Sequence, residues 1–131
     1  MSAINEMIEA VIALMNATQP FARVTRGALP TGVGLTCEIA PGMNESVFMD
    51  KKRACSLGLV INGKHHNMKT LSDAMNKIHS ALTMATEYPQ GESWQITDIL
   101  NSTIPAIIGR EQNNEWLMAS QLQIRFFWKG E

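Results

Sequence analysis

His65 and His66 are the residues whose type points most directly at chemistry, because imidazole nitrogens bind zinc and related ions. Adjacent side chains on a strand point to opposite faces, so this pair reaches one ion only if it lies in a loop. Cys37 and Cys55 stand at no metal-ligand spacing from either histidine. Both occur in stretches that alternate like strands, where a free thiol behaves as a small buried hydrophobe, so reduced core cysteines are expected. His79 borders the apolar stripe of a helix and reads as a satisfied surface or boundary histidine. Nucleophilic catalysis requires Ser or Cys against a base and a third orienting group, and the chain has neither a Gly-x-Ser-x-Gly elbow nor a cysteine-protease motif. The carboxylates Asp50, Asp73 and Asp98 are scattered over separate elements. The sequence contains no P-loop or Gly-x-Gly-x-x-Gly fingerprint, and no helix is expected after Gly32-Val33-Gly34. The expectation is a binding or structural protein with no catalytic residues, cofactor or metal.

Charge narrows the partners. Eleven basic residues against twelve acidic ones give a formal charge of −1, which supplies no global field for nucleic acid or an anionic membrane. The longest basic run, Lys51-Lys52-Arg53, follows Asp50 directly and reads as a solvated loop or strand end. No apolar stretch approaches the roughly 20 residues that cross a bilayer, and the N-terminus does not resemble a secretory signal, so synthesis in a reducing cytoplasm is expected. Trp94, Trp116 and Trp128 all fall in apolar strand patterns, which favours core packing over base or sugar stacking. Of the nine methionines, Met7, Met15, Met75 and Met118 belong to expected core faces, whereas Met43, Met49 and Met84 are less clearly buried.

The elements that must position these residues follow from periodicity. With 131 residues, 45% hydrophobic and 18% charged, residues 1–131 form one expected domain around one core. Ile4, Met7, Ile8, Val11, Ile12 and Met15 make one stripe of a helix from about Ala3 to Asn16, with Ser2 as its cap. Phe21 to Arg26 reads as a short strand. Val33, Leu35, Cys37 and Ile39 alternate as a second, which Pro41-Gly42 is expected to break, with Met43 to Glu45 as a connection and extended structure resuming at Ser46 to Asp50. Cys55, Leu57, Leu59 and Ile61 alternate again. Leu71, Ala74, Met75, Ile78, Ala81, Leu82 and Ala85 define a second helix, capped by Asn67 or Thr70. Trp94, Ile96 and Leu100 open another strand, interrupted at Pro105, and after a polar tip at 111–115 the return strand buries Trp116, Met118, Ser120, Leu122, Ile124, Phe126 and Trp128. The order α-β-β-(β)-α-β-β gives an α+β fold, an antiparallel or mixed sheet with two helices packed on one face.

A leading helix, strands ending in Ala54 to Ile61, a helix near Leu71 to Ala85 and an aromatic-rich closing strand from Trp116 to Trp128 together resemble the tail terminator proteins of long-tailed bacteriophages, also described as minor capsid or tail-completion proteins. The resemblance covers nearly the whole chain. It implies a ring, of six copies in the family, that caps the finished tail tube, ends its growth and presents a surface to the head-tail connector or neck protein. It also implies a place in the virion at the neck-proximal end of the tail, reached after synthesis in the host cytoplasm. Expected partners are further copies of the chain, the tail tube protein and the connector, without a membrane or sequence-specific nucleic acid. The expected interface is an arm formed by Met43, Phe48, Met49, Asp50, Lys51, Lys52 and Arg53, where a turn, apolar side chains and a charge cluster coincide. Competing readings are another phage neck or head-completion protein, a small cytoplasmic binding domain, and a small enzyme using His65, His66 or Asp98.

Overall fold

The computed structural model describes residues 3–27, 32–47, 53–92, 94–110 and 114–128, with the side chains of 3, 4, 41–47, 53 and 128 set aside. Two helices and five strands follow one another as α1 (Ala3–Asn16), β1 (Val24–Arg26), β2 (Gly34–Val47), β3 (Arg53–His65), α2 (Met68–Thr83), β4 (Trp94–Arg110) and β5 (Trp116–Trp128). The strands form one mixed sheet in the order β1-β2-β3-β5-β4. The α+β class and the element order agree with the sequence pattern. Of the two sheet forms expected the structure has the mixed one: β1 runs parallel to β2, with Val24 opposite Leu35, while the other neighbours are antiparallel.

One face of the sheet is covered by both helices. Leu57, Leu59 and Ile61 of β3 stand opposite Ile124, Leu122 and Ser120 of β5, and the alternation carries every second residue of these strands into the core. From α1 come Met7, Ile8, Val11, Ile12 and Met15, all buried as the helical spacing predicts. From α2 come Leu71, Met75, Ile78, His79 and Leu82. Ala81, expected on the stripe, is exposed instead, and His79 occupies a core position. Asn67 caps α2, its Oδ1 accepting from the Thr70 amide at 3.1 Å. At the other end the Tyr88 hydroxyl donates to the Leu82 carbonyl at 2.8 Å, satisfying an acceptor of the last turn.

Proline misled the strand boundaries. Pro41-Gly42 does not end β2, which continues to Val47 through a register shift between Ile39 and Met43; Met43 to Glu45 are strand, paired with Leu57 to Cys55. Pro105 likewise falls inside β4, between Thr103 and Ala106, where the pairing with β5 slips. A bulge relieves the ladder of the amide that proline lacks, so an edge strand passes through it unbroken. Another slip between Ile96 and Asp98 lengthens the buried spacing, so the fully buried residue is Ile99 rather than Leu100.

Gly63 of β3 lies where α2 packs close onto the sheet. A Cβ there would meet Leu71 Cδ1 at 2.7 Å, Leu35 Cδ2 at 2.9 Å and Met75 Sδ at 3.0 Å. Gly63→Val therefore forces the ends of Leu71, Leu35 and Met75 to repack, and overpacking of this kind costs about 1–3 kcal/mol. Urea denaturation monitored by tryptophan fluorescence is expected to show that loss relative to the natural chain, with the midpoint lowered and the slope kept.

Candidate functional site

The residues singled out by type do not converge. His65 closes β3, accepts from the Asn67 amide through Nδ1 at 2.8 Å and packs edge-on against Phe21, their ring centroids 4.7 Å apart. His66 turns outward, with Nε2 4.0 Å from Oε2 of the buried Glu115. Cys37 and Cys55 share the core face on adjacent strands, but Cys37 stands opposite Ile61 and Cys55 opposite Glu45. Six positions along β3 separate Ile61 from Cys55, about 20 Å, so no disulfide joins them. Burial pushes the Cys37 thiol up to about 11, against the lowering effect of Arg26, which keeps it protonated at neutral pH. Asp73 is exposed on α2, and Asp98 sits in β4 opposite Arg125. Asp50 lies outside the described residues. Trp94 is buried, and Trp116 packs against the core with the Arg110 guanidinium 4.8 Å from its ring centroid. Among the described residues, no three His, Cys, Asp or Glu side chains gather in a way that would hold a metal.

One cluster has catalytic form. His79 Nδ1 lies 2.8 Å from Asn101 Oδ1, and His79 Nε2 lies 2.7 Å from Ser120 Oγ. With the Asn101 carbonyl accepting, Nδ1 carries the hydrogen and Nε2 accepts from the serine hydroxyl, the arrangement of a nucleophile, a base and an orienting group. Burial decides against that use. Only 4% of His79 and 3% of Ser120 is exposed, so the serine oxygen has no open side from which to reach a substrate. The three residues instead tie α2 to β4 and β5, and satisfy the polar atoms that two of them bring into the core. The sequence marked His79 as a boundary residue; Asn101 and Ser120, 22 and 41 positions further along, carry no signal of their own.

What the fold offers outward is sheet. The face away from the helices carries half-buried Ala54, Ser56, Gly58, Val60 and Asn62 of β3 beside Gln121 and Gln123 of β5, with exposed charges at Arg125 opposite Ser56 and Glu38 opposite Val60. At the β4 edge, residues 101–110 leave the core almost entirely: Ile104 is 68% exposed and Ile108 64%. The opposite border is partly closed. The Asn16 side chain accepts from the Val24 amide at 2.8 Å and donates to the Val24 carbonyl at 3.3 Å, standing where another strand would pair with β1. Since β1 pairs only with Leu35 to Cys37, β2 has no partner on that side from Glu38 onward among the described strands. Of the expected arm, the Met43 backbone pairs with Leu57, and that of Arg53 opens β3 opposite Val47. Phe48, Met49, Asp50, Lys51 and Lys52 lie outside the described residues. Met84 projects with 78% exposure just past α2, whereas Met7, Met15, Met75 and Met118 are core residues as the pattern predicted.

Desolvation lowers the pKa of His79 below its ordinary 6.5, outweighing the raising effect of its bond to Asn101. Above pH 6.5 the residue is neutral in both folded and unfolded chains, and its contribution to stability is complete. As pH falls below 6.5 the unfolded chain takes a proton that the folded chain refuses, so stability is lost down to the folded pKa. Denaturant titrations across this window should show a His79-dependent slope of at most one proton, about 1.4 kcal/mol per pH unit, that His79→Gln removes.

Compared with known proteins, the chain matches no protein-family model and no curated sequence. Its fold is similar to that of a chain from a solved structure described as the virion of native gene transfer agent particle. The TM-score is 0.67, the identity 13%, and the likeness spans 97% of this chain and 99% of that one.

Proposed function

We propose that this chain is a structural protein of a virion and, more narrowly, that it forms a ring capping the tail tube of a long-tailed phage, ends tail growth and joins the tail to the head connector. The observation that carries the reading is the end-to-end likeness to a virion chain, which leaves almost no part of either chain unmatched. The broader structural role is supported by where the chain places its polar groups. His79 and Ser120 are shut inside the core, Cys37 is held protonated, and the surface left open includes strand edges and a sheet face on which Arg125 and Glu38 are the exposed charges beside half-buried small and polar residues. Such surfaces bind other proteins through shape and backbone pairing. The tail-end position and the ring of six rest on the resemblance of element order and closing strand to the tail terminators.

Purified protein added to isolated tail tubes should appear in electron micrographs as a cap at one end and should prevent further addition of tube protein. Binding to DNA-filled heads without binding to tubes would replace this reading with that of a head-completion protein.

The segment from Met43 to Arg53 is proposed as an arm reaching the neighbouring subunit. Asp50→Lys combined with Lys51→Glu is expected to weaken assembly while leaving the circular dichroism of the monomer unchanged. A ring of unaltered mass in light scattering would remove the arm from the mechanism.

A further inference from the structure

The methionines whose side chains are described occupy separate environments. Met7, Met15, Met75 and Met118 are core residues. The Met75 sulfur shows the confinement, lying 3.0 Å from where a Cβ on Gly63 would stand. Met68, the first residue of α2, has 43% of its surface exposed. Met84 follows α2 as its C-cap and is 78% exposed, more than any other large hydrophobic side chain among the described residues. A thioether in that position contributes little to packing, so what it offers to solvent is the chemistry of its sulfur.

That chemistry is attack by a sulfur lone pair on the O–O bond of a peroxide, and it needs an open path to the sulfur. The core closes the path at four methionines, and the end of α2 leaves it open at Met84. A polar neighbour waits there. The Ser80 hydroxyl donates to Met84 Sδ at 3.7 Å, and the Met84 amide donates to the Ser80 carbonyl at 3.0 Å, which holds the two residues one turn apart. A thioether sulfur accepts weakly, whereas a sulfoxide is polar, so oxidation gives this hydroxyl a better partner. The helix end does not lean on the sulfur. The Tyr88 hydroxyl donates to the Leu82 carbonyl at 2.8 Å, and the Thr83 hydroxyl to the His79 carbonyl at 2.7 Å. The same change at Met75 would set a polar oxygen in the packed space that Leu71 and Leu35 share around Gly63.

We propose that Met84 is an oxidation site, where a peroxide converts the side chain to its sulfoxide while the fold and the four core methionines stay as they are. The sulfur lone pair forms the new S–O bond as the O–O bond breaks. Sulfur loses two electrons and the peroxide gains them; the proton on the transferred oxygen passes to the departing hydroxide, which leaves as water. The site belongs to the free chain and stands apart from any place in a virion.

The test is brief exposure of the folded full chain to hydrogen peroxide at neutral pH, with oxygen uptake at each methionine followed by peptide mass spectrometry. Met84 is expected to react about tenfold or more faster than Met7, Met15, Met75 and Met118, and faster than Met68. In concentrated urea the gap between Met84 and the core methionines should close, because unfolding opens every path. Met84→Leu keeps the apolar bulk without the sulfur and serves as the control for the fold. After the same treatment the natural chain and Met84→Leu should show equal changes in urea midpoint. Uptake at Met84 no faster than at Met68 or at the core methionines would overturn the site. A larger loss of midpoint in the natural chain than in Met84→Leu would also overturn it, by showing that the helix end does depend on the unoxidised sulfur.

Discussion

Strand length against helix length is the constraint on which the rest of the structure depends. A helix of 16 residues such as α2 is about 24 Å long, whereas a strand of 17 residues such as β4 extends about 56 Å. Two helices can therefore bury only part of one sheet face, and β4 is buried only over its first residues, Trp94 to Ile99. Gly63 lets α2 settle against β3 near one end of that strand, and Leu35, Leu71 and Met75 close around it. Everything beyond the helices' reach remains as bare strand. The exposed isoleucines of β4 lie outside the helices' cover, while the unpaired stretch of β2 follows from the shortness of β1, whose three residues pair only with Leu35 to Cys37.

The same constraint explains the buried polar cluster. Where β4 leaves the shelter of α2, the last helix turns must still be fastened to the sheet, and His79 does this by bonding both Asn101 and Ser120. Each buried ring nitrogen has a partner, so the histidine sits in the core without an unmet desolvation cost. The arrangement looks catalytic in connectivity and is architectural in placement. Distances alone cannot separate those two uses; the exposure of the serine oxygen can.

Much of this was legible in the sequence. The stripe of α1 gave its extent from Ala3 to Asn16, and the alternation in β3 and in β5 from Met118 to Phe126 identified their buried residues, because a regular element repeats its own geometry; Trp116, at the start of β5, is half-buried. The errors fell where geometry is irregular. Proline reads as a terminator in a linear pattern, yet at Pro41 and Pro105 the chain slips its register and goes on, because an edge or bulge asks nothing of the missing amide. The parallel course of β1 was hidden because three residues carry too little pattern to fix a direction. The meeting of His79 with Asn101 and Ser120 depends on tertiary packing between three elements. The exposed run of isoleucines in β4 was legible only as hydrophobicity, which by itself predicts burial.

The slips in β4 carry a consequence for the chain free in solution. Pairing with β5 shifts four times along the strand, three of them between Asn101 and Gly109, and Pro105 lies within that stretch. Bulges sharpen twist and interrupt the even spacing of backbone groups, which makes the border a poor template for the flat, indefinitely repeating stacks of amyloid. An apolar border that flat chains cannot copy is a safe thing to leave uncovered. The irregularity that disguised β4 in the sequence thus also sets its exposed edge apart from a flat stacking template.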